Sequence, residues 1–229
     1  MSASASTTDR ALWAILGSNA LTAVVALVSG WGLLQLLWPF WIQSVVIGWF
    51  AMQRILKLQA FCTEGFRINQ RPVEATPVTR TLTAVFFALH YGFFHFIYFA
   101  FLAGFTAAAA AGGGSVAVTD TSSGEVTQVA MGQVRALDWL LFAALGFVFW
   151  RSHGGSHREH VEADLAGRPN IGTLMFMPYL RILPMHLTLI LGMLLSGGGA
   201  VLLFLGLKTA ADVGMHRVEH ALLRREKTR

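Results

Sequence analysis

At 229 residues, with 55% hydrophobic and only 13% charged side chains and a mean hydropathy of +0.57, the chain has the composition of a polytopic membrane protein rather than a soluble enzyme. The formal net charge of +5 and a pI near 10.0 raise nucleic acid as a partner, but the basic residues form no single patch and sort by topology, so no nucleic acid is expected. The single cysteine, Cys62, excludes an intramolecular disulfide and a cysteine-based metal cluster, and reads as an inert thiol.

In chain order, residues 1–10 are rich in Ser, Thr and Ala and are expected as a disordered tail. The apolar stretch that follows is too long for the core of a cleaved signal peptide and suits a first spanning helix, 11–28. Hydropathy and punctuation by Gly30, the Arg168-Pro169-Asn170 turn and the Gly197-Gly198-Gly199 run predict further spans at 33–52, 81–105, 131–153, 179–196 and 200–217. The expectation is an all-α bundle of six transmembrane helices over 11–217. It has cytoplasmic loops at 53–80 and 154–178, an outer loop at 107–133 and a basic tail at 218–229. The outer loop, Ala/Gly-rich and then Ser/Thr/Val-rich, reads as a flexible loop or short hairpin without a binding site.

Orientation follows from Lys and Arg. Of the 17 such residues, all but Arg135 and Lys208 fall on one side of the expected bundle, which puts both termini in the cytoplasm of a multi-pass inner-membrane protein.

The last span carries the strongest functional signal. Its apolar lead-in, 200–207, covers only about 12 Å at ~1.5 Å per residue, against a hydrocarbon core of about 30 Å. Lys208, Asp212 and His216, at i, i+4 and i+8, therefore enter the bilayer zone, where ionisable groups are costly and mark functional sites. By depth, His90 falls near the midplane, Lys208 near mid-depth, Asp212 level with His186, and His216 near the inner surface. The fourth span has an uncharged run of only about 18 Å, 139–150, at ~1.5 Å per residue. Either Arg135 and Asp138 or Arg151 and His153 must then enter the membrane, and in the second case His153 joins His186 and Asp212.

Neutral imidazoles with one carboxylate suit a divalent transition metal, zinc above all, so His90, His153, His186, Asp212 and His216 are the candidate ligands. Lys208 or Arg181 would hold an anionic substrate group. Plainer readings stand beside this one: Lys208 and Asp212 as an i,i+4 ion pair, His90 as a hydrogen bond to a neighbouring hydroxyl or backbone. His95, about 140° around the helix from His90, reads as structural, packing near Tyr98. His157, His160 and His220 read as solvated cytoplasmic side chains. Asn19 and Gln43 read as interhelical glue, and Trp31, Trp38, Trp41 and Trp49 mostly as interfacial belt.

Several strings occur in order on successive helices: His90-Tyr91-Gly92; Ser152-His153-Gly154 with Ser156; Pro178-Tyr179 followed by Arg181-Ile182 and Met185-His186; and Lys208-Thr209 with Asp212. Together they resemble an uncharacterised prokaryotic membrane family, domain of unknown function 6498, over most of the chain, from about Trp41 to His216. The resemblance implies a polytopic helical membrane protein and no established activity. The chain departs from it at Gln43, where a glutamate is expected, and at His157, where a phenylalanine is.

Three classes of function compete. One is a metal-dependent membrane hydrolase acting on a lipid or small amphipathic substrate. Another is a proton- or ion-coupled transporter or channel using Lys208, Asp212 and the histidines as a relay; the lack of internal repeats argues against it. The third is a structural membrane protein whose buried charges fix helix register. A retinal-type Schiff base at Lys208 is disfavoured by the helix count and by an aspartate one turn away on the same helix. The Gly-rich patches of the last two spans permit close packing or dimerisation without demanding it.

Overall fold

The computed structural model describes residues 3–119, 123–180, 182, 187, 206–207, 209–211 and 213–214. The described chain is mostly helical. Helix α1 spans Ala3–Val28, α2 Leu33–Lys57, α3 Pro77–Ala111, α4 Ala136–Leu165 and α5 Ile171–Leu180. Two antiparallel hairpins interrupt them: β1 (Arg67–Ile68) with β2 (Arg71–Pro72), and β3 (Ser115–Thr119) with β4 (Val126–Ala130).

Helix α2 is the centre of the bundle and packs against α3, α4 and α5. Its first turns bury Leu34, Leu36 and Leu37 completely, and the core continues through Phe87 of α3, Phe142 and Phe149 of α4 and Ile171 of α5. Among the described residues α2 and α3 are the two helices long and apolar enough to cross a membrane.

Local chemistry sets the helix ends. At the start of α3, Thr76 Oγ1 accepts the Thr79 N–H at 3.1 Å, and Pro77 sits in the first turn, where its missing N–H is no loss. At the start of α4, Asp138 Oδ2 accepts the Arg135 N–H at 2.8 Å and Asp138 Oδ1 accepts Trp31 Nε1–H at 2.9 Å. The carboxylate is fully buried and answered by these donors, so the Asp138 end of α4 is equipped to sit in an apolar setting.

The β3–β4 hairpin folds back over the start of α2. Leu34 N–H bonds Met131 O at 3.0 Å and Gln35 Nε2–H bonds Gln133 O at 2.9 Å. Gly132 makes this crossing feasible, because its φ of +83 and its contact with Gln35 leave no space for a side chain.

Several boundaries differ from those expected. Helix α1 begins at Ala3, inside the segment expected as a disordered tail. The expected 53–80 loop contains the β1–β2 hairpin, with Asn69 and Gln70 at φ 49 and 64, the two-residue geometry that matches strand twist. The expected 154–178 loop is largely helical. Helix α4 runs on to Leu165, because His157, Val161 and Asp164 repeat on one face and keep it packed, and α5 has already begun at Ile171.

The tryptophans are not mainly a belt. Trp31, just before α2, and Trp38 are buried and Trp41 is half-buried, and all three donate indole N–H bonds to other helices: to Asp138 of α4, to Thr106 Oγ1 at 3.1 Å, and to His95 O at 3.0 Å. Trp49 remains exposed, as a belt residue would be. A large apolar ring with one donor suits a helix–helix seam as well as an interface, and sequence alone does not separate the two.

Candidate functional site

The polar side chains of α3 divide between two faces. His90 lies on the outer one. Its ring stacks on Phe86 at 5.2 Å, meets Phe94 edge-on at 5.1 Å, and its Nδ1 is 2.9 Å from the Tyr179 hydroxyl of α5. Tyr179 also packs against Phe87 at 5.8 Å and Tyr91 at 5.4 Å, so one α5 phenol contacts three side chains within about one turn of α3. With Nδ1 engaged, Nε2 is the nitrogen His90 can offer to a metal or a proton.

The inner face is built around Tyr91. Its hydroxyl donates to Ser44 O at 2.9 Å and lies 3.2 Å from Ser44 Oγ. Gly48 leaves the room it needs, since a Cβ there would run into the Tyr91 ring. His95 stacks on Tyr91 at 4.2 Å and meets Tyr98 edge-on at 6.4 Å. Its Nδ1 is 2.9 Å from Tyr91 O, and because a carbonyl only accepts, Nδ1 carries the proton. The remaining acceptor, Nε2, is buried without a partner among the described residues, as is Gln43 Oε1. Gln43, expected as hydrogen-bonding glue, is buried in α2 with its carbonyl oxygen unsatisfied among the described residues.

A second polar group closes the far end of α2. Arg54 forms a two-pronged ion pair with Asp164 of α4, one arm at 3.0 Å. His157, expected to be solvated, is instead buried against Phe50 at 5.0 Å. Burial, and after it the positive charges of Lys57, Arg54 and His160, push its pKa below the ordinary histidine range, with Asp164 opposing.

Two of the strings noted in the sequence meet in space, through His90 of one and Tyr179 of another, while Tyr91 packs on Ser44 and Gly48 and Gly154 lies beside Phe50. The chain belongs to the DUF6498 family, a family of unknown function. The family match covers residues 1–229. No curated protein and no solved structure matches the chain. Membership thus brings no activity with it.

Of the expected site residues, His90 sits on α3 and His153, half-buried, on α4. Arg181, His186, Lys208, Asp212 and His216 lie outside the described residues. Among the described residues no three of His, Cys, Asp and Glu stand close enough to hold a metal. Sequence reasoning missed Tyr179 as the partner of His90, although Pro178-Tyr179 stood among the recurring strings. It also missed the burial of His157, whose signal was its spacing with Val161 and Asp164.

Proposed function

We propose that this DUF6498 member is an integral membrane protein of six spanning helices with both termini cytoplasmic. In this reading its inner-half polar cluster binds a divalent transition metal, zinc first, for hydrolysis of a lipid-like substrate. His90, His153, His186 and Asp212, with His216 at the inner edge, would hold the metal, and Lys208 or Arg181 an anionic substrate group.

The supporting observation is the His90–Tyr179 hydrogen bond at 2.9 Å between residues 89 apart. It fixes an otherwise exposed imidazole through one nitrogen, the arrangement that orients a ligating histidine. It does so from the residue two before Arg181 and seven before His186. Membrane embedding is supported by α3, which leaves Leu82, Phe86, Leu89, Phe93, Phe96 and Phe101 exposed along its length. When bound, the metal would supply a water acidified to a pKa of about 7.

Elemental mass spectrometry of the detergent-purified chain tests the reading. Near-stoichiometric metal is expected, lost from His186→Ala and reduced in His90→Ala. Metal absent from the native chain, or retained in both variants, removes the metalloenzyme and leaves the polar cluster as a charge network.

A further inference from the structure

A cavity of about 370 Å³ lies between the loop of Glu64 and Phe66 and the outward face of α5, lined by Asn170, Thr173, Phe176 and Leu180 among others. Its composition is graded. At the α5 N-terminus are Glu64, Asn170 and Thr173; a turn or two further along are Phe66, Phe176 and Leu180. Asn170 is spent on structure: its Oδ1 accepts the Thr173 N–H at 3.2 Å and its Nδ2 donates to Glu64 O at 2.8 Å, which holds the polar rim in place. Gly172 keeps the groove open, since a Cβ there would press on Phe66 at 3.3 Å. Phe176 and Leu180 are exposed at 61% and 42%, so the apolar end continues into the open apolar surface of the helices. The same wall leads inward: the Phe176 ring meets Tyr179 at 6.2 Å, and the Tyr179 hydroxyl holds His90.

We infer that this groove binds one membrane lipid with an amine-bearing head group, its acyl chain along Phe66, Phe176 and Leu180 and its ammonium at Glu64, and so presents it to His90. Two features select this occupant. The apolar end opens onto the surface read above as lipid-facing, and the only charged side chain lining the cavity among the described residues is the Glu64 carboxylate. The inference rests on the proposed membrane reading and names the substrate class for the same site.

The test is photo-crosslinking of the full chain in phosphatidylethanolamine vesicles doped with a diazirine-acyl phosphatidylethanolamine, with adducts mapped by peptide mass spectrometry. Adducts should concentrate on Phe66, Phe176 and Leu180 relative to Leu89, Phe93 and Phe96 of α3. Filling the groove with Thr173→Trp should lower them roughly tenfold, the effect of removing about 1.4 kcal/mol of binding, while α3 labelling stays constant and reports that the variant is folded. Phe66→Ala, which removes the opposite wall, should act in the same direction. An even spread of adducts over α3 and α5, or groove labelling untouched by both variants, overturns the site. A phosphatidylglycerol probe should label the groove more weakly, and Glu64→Gln should erase the difference; equal labelling by both probes in the native chain overturns the head-group assignment. The readout needs neither metal nor turnover. Groove labelling in a chain without metal would sink only the metalloenzyme, and metal without groove labelling would sink only this inference.

Discussion

Helices α2 and α3 are both long and apolar enough to cross a bilayer, yet 67% of the most apolar stretch is buried in α2 and 22% in α3. The difference lies in what each side chain must do. Helix α2 touches all four of the other described helices, and its tryptophans, Ser44 and Gly48 are fitted to particular partners. Helix α3 fits its partners along one face, that of Phe87, Tyr91, His95, Tyr98 and Leu102, and turns phenylalanines outward elsewhere. Hydropathy reports that both helices avoid water. It does not report which of them is surrounded by protein, because lipid and protein interior are about equally apolar.

The largest expected effects come from placing one substitution on each helix. Leu36 is fully buried in α2, and Leu36→Ala should cost about 3 kcal/mol through the cavity it leaves. Leu89 is 71% exposed on α3, and Leu89→Ala should change stability by less than about 0.5 kcal/mol. Leu89→Lys then asks what the exposed face meets: against lipid it should cost about 3 kcal/mol and reduce the membrane-inserted fraction, whereas against water it would be harmless. Thermal melts in detergent and membrane fractionation read these outcomes. A harmless Leu89→Lys would end the lipid-facing reading of α3.

A smaller effect separates the two helices at glycine. Gly48 of α2 lies under the Tyr91 ring, and Gly48→Ala must displace that ring and its bonds to Ser44, at a cost of about 1–3 kcal/mol. Gly92 of α3 has nothing within 4 Å of an added Cβ, so Gly92→Ala should be neutral or stabilising by up to about 1 kcal/mol. Melting temperatures that move together in the two variants would show that the Tyr91–Ser44 seam does not hold α2 against α3.

The same contrast explains what the sequence disclosed. Long apolar runs gave away α2 and α3, and the turn at Arg168-Pro169-Asn170 lies between α4 and α5 where punctuation is strongest. Partner choice was not legible. Trp31 meets Asp138 across 107 residues and His90 meets Tyr179 across 89, and no local pattern ties such pairs together. The polar end of α4 is the intermediate case. In the sequence Arg54 is only one of the basic residues that set orientation and nothing singles out Asp164 as its partner, although the helical spacing of His157, Val161 and Asp164 is in view. The proposed site was legible only as a set of residue types, to which the structure adds Tyr179 as the partner of His90.

The smallest effect sits at that polar end of α4, where a titratable ring is packed as α2 packs its apolar ones. His157 is held below the ordinary histidine range, by burial first, while the unfolded chain titrates near about 6.5. Above that value both states carry a neutral ring, and His157 adds no pH dependence. As pH falls through about 6.5 the unfolded chain takes up the proton first, so stability declines; the decline ends once pH drops below the lowered value of the folded chain. His157→Phe keeps a ring against Phe50 and has no proton to gain. Its melting temperature should therefore fall less than that of the native chain between about pH 7.5 and about pH 5.5. Equal falls in the two proteins would mean that His157 is protonated as readily in the fold as out of it, and that the Lys57 and Arg54 charges beside it are screened by water.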